Sequence, residues 1–343
     1  MKAVIVTPDK ELTVAEVPTP EPGPGEVRVR MEYGGICGSD LAYWKHGASG
    51  TAVLTHPLIL GHEVAGIVDK LGEGVSARVG VAVTFNPATL CGEYEVDPSL
   101  AHRTNLWPEV RYFGSAAFDP HEQGGFSTYR VVREDQLRPI PAGVTTRTAA
   151  AAEPLGVAIH GIRRAESITG PITGQTILVN GCGPIGAFLI GAAKHFGAAE
   201  VYAADLAELS LGHARDMGAD HLINPTRDEL PHDIPLVFDC SGAPAAIDGL
   251  LRATRRGGTL VQVGNLPGQP APIGLGQLVT REITYIGSYR FIDEVTDALE
   301  AMASGLDVEP LLTHEFPIGE TPAAFATAAD RSTGSSKVLL KLS

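Results

Sequence analysis

Cys37 and His62 are the residues whose types and surroundings first suggest metal chemistry. Cys37 lies in GGICGSD and His62 in GHE, both of which are glycine-rich segments typical of turns. A thiolate paired with an imidazole suits zinc, and a catalytic zinc needs three protein ligands and one open position. Two residues do not define such a site, because a lone cysteine is most often a small buried residue.

Three carboxylates are candidates for a further ligand or for a partner that orients the imidazole. Glu63 directly follows the histidine, Asp40 comes three residues after the cysteine, and Glu153 lies in the apolar segment AAEPLG. A buried carboxylate without a partner is costly, so a metal would account for Glu153. The alternative is a carboxylate at a helix N-terminus, in front of Pro154.

A second group of residues is typical of a dinucleotide site. Gly181, Gly183 and Gly186 form G-x-G-x-x-G between an apolar run and a predicted helix over 184–196. The first glycine permits the tight turn, the second lets the pyrophosphate approach the backbone, and the third lets helix and strand pack closely. The remaining candidate cofactor contacts from this region onward are Pro184, Ile185, Val263 and Arg290.

Asp205 follows 19 residues after the last of these glycines, at the end of the next predicted strand. A carboxylate at that place accepts hydrogen bonds from the adenosine ribose hydroxyls. It also repels a 2′-phosphate, and its neighbours Leu206 and Ala207 carry no cation to bind one. The position therefore predicts NAD rather than NADP as the cofactor.

Two regions of the chain, with different sequence patterns, must position these residues. Residues up to about 150 read as short β segments separated by glycine and proline, which indicates a β-rich domain. From about 156 to 290, apolar runs alternate with predicted helices, which is typical of a parallel sheet covered on both faces. A helix over 293–304 and a closing β run over 337–342 complete the tail, and that run is expected to return to the first domain.

Composition limits the class of protein. The 343 residues suggest about two domains, and 44% hydrophobic with 19% charged residues indicates a globular chain. A net charge of −14 argues against binding nucleic acid or an anionic membrane. The chain has no apolar run of about 18 residues and no signal-peptide pattern, and its four cysteines are too few for a disulfide scaffold, so we expect a cytoplasmic protein.

Taken in order, GGICGSD, GHEVAG, EPLGVAIH and VNGCGPIG resemble the zinc-dependent medium-chain dehydrogenases over essentially the whole chain. Glutamate in place of cysteine at the third-ligand position resembles the polyol dehydrogenase branch. Within that branch, YFGSAAFDPHEQGGFSTY and GSYRF are most similar to the L-idonate 5-dehydrogenases, with sorbitol and xylitol dehydrogenases as near relatives.

The resemblance implies an α/β protein with a GroES-like β-rich catalytic domain over 1–155 and 291–343, and a Rossmann doubly wound parallel-sheet domain over 156–290. It implies Cys37, His62 and Glu153 as zinc ligands, with Glu63 as an adjacent, exchanging ligand. Arg290 would contact the substrate or the cofactor. It also implies a homotetramer.

Two departures from the family pattern matter. Relatives often hold a second, structural zinc with four cysteines in the long lobe, where this chain retains only Cys91. One thiol does not make a closed tetrahedral site, so we expect one catalytic zinc per chain, with Tyr94 and Trp107 packing together in place of the metal. Ala42 stands where the family often has a histidine that relays a proton, which leaves Ser39 as the best first relay.

The expected reaction is oxidation of a secondary hydroxyl of a sugar acid or polyol, with hydride transfer to NAD; the leading substrate is L-idonate. The alternative enzyme is a polyol dehydrogenase of the sorbitol and xylitol type. The non-enzyme alternative is an NAD-sensing protein that retains the fold without catalysis. Candidate walls of the substrate pocket are Tyr43, Phe118 and Phe126.

Overall fold

A computed structural model describes the chain from Met1 to Ser343. Its internal contacts divide the chain into two units. The first comprises Met1–Glu153 and Leu312–Ser343, and the second comprises Pro154–Leu311. Residues 291–311 therefore lie in the second unit, whereas the predicted catalytic domain included them. The physical reason is a buried contact: Glu294 lies 2.6 Å from Nδ1 of His160, and its backbone packs against Gly156.

The structure has twenty strands. They are β1 (Lys2–Val6), β2 (Leu12–Glu16), β3 (Glu26–Gly35), β4 (Ala48–Ser49), β5 (Ala52–Val53), β6 (Leu58–Ile59), β7 (Glu63–Leu71), β8 (Ala82–Phe85), β9 (Ala88–Leu90), β10 (Val110–Tyr112), β11 (Tyr129–Arg133), β12 (Leu137–Pro139), β13 (Thr176–Asn180), β14 (Glu200–Ala204), β15 (His221–Ile223), β16 (Ile234–Asp239), β17 (Thr254–Gln262), β18 (Thr284–Gly287), β19 (Leu312–Pro317) and β20 (Lys337–Lys341).

Nine α-helices accompany them, of which the third crosses the division between the units. They are α1 (Gly38–His46), α2 (Thr146–Ala149), α3 (Ala152–Thr169), α4 (Pro184–His195), α5 (Glu208–Asp216), α6 (Ile247–Ala253), α7 (Gly276–Thr280), α8 (Glu294–Ala303) and α9 (Thr321–Ala329). None of these helices is both long and apolar enough to cross a membrane.

The first unit is built on a seven-stranded sheet in the order β12-β8-β7-β3-β20-β19, with β11 also paired to β3. Val27, Val29 and Met31, which alternate along the first part of β3, are fully buried, as the period of two predicts for a strand with one face on a core. The closing run β20 pairs antiparallel with β3 and so returns to this unit, as the sequence predicts.

The second unit carries six parallel strands in the order β15-β14-β13-β16-β17-β18. The helix predicted over 184–196 is found as α4, and strands alternate with helices as expected. Helix α6 ends at Ala253 because β17 already begins at Thr254. The architecture is therefore α/β, with a β-rich unit and a doubly wound parallel-sheet unit.

Candidate metal and dinucleotide sites

Strand pairing brings the metal-type residues of the first unit together. In the antiparallel register of β3 and β7, Gly35 lies opposite Glu63. Cys37 follows the end of β3 as the N-cap of α1, and His62 precedes the start of β7. The thiol, imidazole and carboxylate ligand atoms of Cys37, His62 and Glu63 consequently all lie within 4.8 Å of one another.

Asp40 ties the two turns that carry these residues. Its side chain is completely buried. One oxygen accepts a hydrogen bond from the backbone N–H of Cys37 at 2.9 Å, and the other from the backbone N–H of Gly61 at 3.2 Å. Gly61 has φ of 94°, a conformation that favours glycine. Asp40 thus fixes the backbone on both sides of the donor cluster.

Lys337, at the start of β20, is a partner of Glu63 that the sequence analysis missed. Its ammonium lies 2.7 Å from both carboxylate oxygens of Glu63 and donates to the carbonyl of Ile36 at 3.3 Å. Lys337 is 2% exposed, which is rare for a lysine without a paired charge. The only signal in the sequence is a charged residue at the head of the apolar run KVLLK.

Glu153 lies in the first turn of α3 and is held by a different residue. The hydroxyl of Tyr112 donates to its Oε1 at 2.6 Å, and the ring of Tyr112 packs edge-on against His62 with centroids 5.8 Å apart. Glu153 is outside the compact donor cluster, so of the carboxylates it is Glu63 that joins Cys37 and His62 there. Tyr112 was not anticipated from the sequence.

The charges at this site favour a cation. Burial disfavours a charged imidazole, but Cys37, Glu153 and Asp40 outweigh it and raise the pKa of His62 to about 10. Burial raises the pKa of Asp40 and also the pKa of Glu153. A set of sulfur, nitrogen and carboxylate oxygen donors, of which His62 and Glu63 are buried and Cys37 is half-buried, fits Zn²⁺.

The remaining predicted residues of the first unit have varied environments. Ser39 is partly exposed in the first turn of α1. Tyr43 is 2% exposed, and its hydroxyl accepts a hydrogen bond from the backbone of Ala116 at 3.0 Å. Phe126 is fully buried in the core of the unit, whereas Phe118 is half-buried, with the guanidinium of Arg111 5.4 Å from its ring.

The lobe over 88–112 contains the hairpin of β9 and β10. Tyr94 and Trp107 pack edge to face, with centroids 6.3 Å apart, and the indole N–H donates to the carbonyl of Leu100 at 3.2 Å. The single thiol of the lobe, Cys91, donates to the carbonyl of Thr89. The two aromatic residues expected to contact each other therefore do so.

In the second unit the glycine motif joins β13 to α4. Gly181 has φ of 86°, and a Cβ atom there would lie 2.6 Å from the backbone nitrogen of Ser241. Gly183 is the exposed N-cap of α4, with open space where a Cβ would lie. At Gly186 a Cβ atom would overlap the carbonyl of Gly181, so the helix can approach the strand only without a side chain. Pro184 and Ile185 are partly exposed in the first turn of the helix.

Asp205 lies directly after β14 and is bonded to the glycine loop. Its Oδ2 accepts from the backbone N–H of Cys182 at 2.7 Å, and its Oδ1 from that of Ala207 at 2.8 Å. Carboxylate oxygens have further lone pairs for ribose hydroxyls. The carboxylate thus lies at the end of the strand next to the helix N-terminus, where the motif requires it.

A buried network at the ends of the neighbouring strands was not anticipated. Asp239 is fully buried and accepts hydrogen bonds from Asn180 at 2.8 Å and from Gln262 at 2.6 Å. The other end of Gln262 accepts from the Tyr285 hydroxyl at 2.7 Å. Together these bonds fix the strand ends around the glycine loop, next to the partly exposed Val263.

Arg290 follows β18 in a left-handed conformation, with φ of 49° and its guanidinium 5.1 Å from the ring of Tyr289. Such a backbone costs about 1–2 kcal/mol for a residue other than glycine. The segment is restrained by Glu294, which accepts from the backbone of Ile292 at 2.6 Å and contacts His160. Strain held by surrounding bonds is a feature that clusters at functional sites.

Comparison with known proteins agrees with the fold and the donor set. The family described as "Alcohol dehydrogenase GroES-like domain" matches residues 23–142, and "Zinc-binding dehydrogenase" matches residues 184–304. The chain belongs to the zinc-dependent medium-chain alcohol dehydrogenase family. It is accordingly an oxidoreductase with zinc and NAD(P) as cofactors, and the alternative of a non-catalytic NAD-sensing protein is set aside.

Its relatives narrow the branch to the polyol and sugar-acid dehydrogenases. The chain is 37% identical to L-idonate 5-dehydrogenase (NAD(P)(+)) of Escherichia coli K12 over 91% of this chain and 90% of the relative. It is 34% identical to sorbitol dehydrogenase of Gallus gallus, over 99% and 96%. The crystal structure of the E. coli L-idonate 5-dehydrogenase superposes with a TM-score of 0.91 at 35% identity, covering 99% of this chain and 97% of the other.

Proposed function

We propose that the protein oxidises a secondary hydroxyl of a sugar acid, with L-idonate as the leading substrate and NAD as the hydride acceptor. The observation that carries the proposal is the compact cluster of Cys37, His62 and Glu63 in a chain 37% identical to an L-idonate 5-dehydrogenase. The 34% identity to sorbitol dehydrogenase supports a neutral polyol such as sorbitol or xylitol as the second candidate.

We assign zinc to Cys37, His62 and Glu63, with Glu153 as the further carboxylate at the same site. When bound, zinc supplies Lewis acidity toward a hydroxyl oxygen, and the nicotinamide supplies a hydride acceptor. The residues of the chain supply the rest. Asp40 keeps the two ligand turns at a fixed separation, and Lys337 balances the charge of Glu63.

Proton removal and substrate selection fall to further residues. Ser39 is the proposed first proton acceptor and donor on the way to solvent, because a hydroxyl does both. Arg290 is the proposed partner of the substrate carboxylate or of the cofactor, since a guanidinium binds a carboxylate through two parallel hydrogen bonds. Phe118, which is half-buried, remains the proposed apolar neighbour of the substrate, whereas Tyr43 and Phe126 pack inside the core of the unit and are not proposed again as pocket walls.

In the other unit, Gly181, Gly183, Pro184, Ile185 and Gly186 form the proposed pyrophosphate loop. Asp205 is proposed to accept the ribose hydroxyls and Val263 to contact the cofactor. We also propose that the enzyme acts in the cytoplasm as a homotetramer, which sedimentation of the purified protein would test.

A substrate panel tests the proposal. We expect NADH formation, followed by absorbance, to be fastest with L-idonate among L-idonate, D-gluconate, sorbitol, xylitol and L-threonine at equal concentration. A higher kcat/KM for sorbitol or xylitol than for L-idonate would favour the second candidate. Dialysis against a chelator should abolish turnover, and zinc should restore it; turnover that survives complete removal of zinc would contradict the metal assignment.

A further inference from the structure

Tyr112 contacts two of the residues to which the metal site is assigned. The proposed reaction gives neither of these contacts a role. It lies at the end of β10, on the hairpin of the 88–112 lobe, and is 6% exposed. Its hydroxyl donates to Oε1 of Glu153 at 2.6 Å, and its ring packs at 62° against the imidazole of His62.

The hydrogen bond restricts what Glu153 can offer to a metal. A tyrosine hydroxyl has one proton, and here that proton is donated to a single carboxylate oxygen. Because Tyr112 engages one of the two lone pairs of Oε1, Oε2 is the oxygen with the greater capacity for ligation. Hydrogen bonds to an ionised carboxylate are about twice as strong as neutral ones, so the bond also selects one rotamer of a flexible side chain.

The two carboxylates of the site therefore have separate anchors. Glu63 is paired with the ammonium of Lys337, which belongs to β20, whereas Glu153 is held by a neutral hydroxyl from the lobe. The ring of Tyr112 additionally limits rotation of the His62 imidazole. Partners of metal ligands orient them, and their removal typically weakens metal binding about 10- to 100-fold.

We propose that Tyr112 is a positioning residue of the metal site, which holds Glu153 in the orientation that presents one oxygen to the metal. Through it, the lobe over 88–112 contributes to the geometry of the site. The proposal rests on the metal site assigned above to Cys37, His62, Glu63 and Glu153.

The test compares Tyr112→Phe with Glu153→Gln and with Tyr94→Phe. Tyr112→Phe removes the hydroxyl and retains the ring. Tyr94→Phe is the matched control, because Tyr94 lies in the same lobe and its hydroxyl bonds only to the backbone carbonyl of Glu109 at 3.4 Å. Each protein is purified with zinc, its zinc affinity is measured by competition with a chromogenic chelator, and the visible absorption of the Co²⁺-substituted protein is recorded.

We expect Tyr112→Phe to weaken zinc binding about 10-fold and to change the Co²⁺ ligand-field bands, with the thermal unfolding midpoint of the zinc-loaded protein close to that of the parent. Tyr94→Phe should leave affinity and spectrum unchanged. In the Glu153→Gln background, adding Tyr112→Phe should produce little further change in affinity, because the two residues act as one unit.

Three results would contradict the proposal or the metal assignment on which it rests. If Glu153→Gln alters the Co²⁺ spectrum and Tyr112→Phe does not, the positioning role is wrong and the metal site stands. If Glu153→Gln also leaves affinity and spectrum unchanged, Glu153 is not part of the metal site and the proposed function must be revised there. Tighter zinc binding in Tyr112→Phe would likewise contradict the proposal, since the hydroxyl would then compete with the metal for Glu153.

Discussion

The metal site and the glycine loop are held together over very different distances along the chain. Asp205 bonds to Cys182, 23 residues away, within one strand-helix-strand unit. At the metal site, Glu63 bonds to Lys337 across 274 residues, and Tyr112 reaches Glu153 across 41. One site is a local motif, whereas the other exists only after distant segments have paired.

This difference predicts different responses to substitution. In the glycine loop the backbone forms the site, so the consequences depend on where a Cβ atom would lie. In the metal site, buried charges depend on partners from other segments, so removing a partner leaves a buried charge uncompensated. Substitutions in the metal site should therefore affect stability most, and those in the loop should affect cofactor binding most.

Lys337→Met has the largest expected effect. It leaves the Glu63 carboxylate buried without its counter-charge, which should lower the free energy of unfolding of the zinc-free protein by about 3–5 kcal/mol. Urea unfolding followed by fluorescence measures it. Lys341→Met, at an exposed position of the same strand, is the control and should stay within about 0.5 kcal/mol of the parent. Equal losses in the two variants would show that the buried pair has no special role.

A substitution in the glycine loop should weaken cofactor binding without lowering the stability of the protein. Gly183→Ala places its Cβ in open space, so the free energy of unfolding should change by less than about 1 kcal/mol. The dissociation constant for NADH should nevertheless rise about 10- to 100-fold, which is ~1.4–2.8 kcal/mol, because the pyrophosphate approaches this backbone. Calorimetric titration with NADH measures the change.

Gly181→Ala is the comparison variant for the same loop. Its φ of 86° and its contact with Ser241 should make this substitution destabilising by about 1–2 kcal/mol. If Gly183→Ala proves the less stable of the two, the assignment of separate roles to these glycines is wrong.

Asp205→Ser should narrow the preference for NAD over NADP by about tenfold, or ~1.4 kcal/mol, because it removes the charge that repels a 2′-phosphate. The ratio of kcat/KM values for the two cofactors measures it. Serine still accepts a hydrogen bond from the loop backbone, so the fold should be retained. Equal efficiency with both cofactors in the parent protein would refute the assignment.

The lobe offers a stoichiometric test. We expect one zinc per chain after exhaustive dialysis, because Cys91 is the single thiol of a lobe that is packed around Tyr94 and Trp107. Trp107→Ala should increase hydrogen exchange over 91–107 and leave that zinc bound. Because Trp107 is a half-buried aromatic residue, its loss should lower the free energy of unfolding by about 1–2 kcal/mol. A content near two zinc ions per chain would contradict this expectation.

Glu294→Gln has the smallest expected effect. Burial raises the pKa of Glu294, but His160 and the backbone N–H of Ile292 outweigh it, and the net pKa lies below the ordinary value. The ionised Glu294 therefore contributes its full share to the free energy of unfolding above a pH of about 4.3, the ordinary pKa of a glutamate in the unfolded chain. This contribution is lost as the pH falls through the lowered pKa of Glu294 in the folded protein. At pH 7 the variant should be about 1 kcal/mol less stable in urea, and the difference should shrink toward pH 3. A difference that grows on acidification would contradict the sign of this shift.

Local patterns made the second unit predictable. The apolar run before Gly181, the helix after Gly183 and the carboxylate at Asp205 are each specified by residues close in sequence, and the structure contains these elements. The boundary at 311 was not predicted, because residues 291–311 join this unit through distant contacts, such as that of Glu294 with His160, 134 residues away, which no local pattern encodes. The end of α6 at Ala253 likewise follows from pairing of β17 with its neighbour, which helical periodicity does not report.

By itself the sequence determined the fold class, the glycine loop and the residue types of the metal site, because period, turn residues and donor chemistry are local properties. Only the tertiary structure decided that Glu63 lies in the compact cluster with Cys37 and His62, and that Lys337 and Tyr112 hold the two glutamates. The physical reason is that a buried charge is stabilised by whichever partner the packed strands bring within about 3 Å. Pairing of β3 with β7 and β20 brings Lys337 close to Glu63, and it is encoded in no single segment.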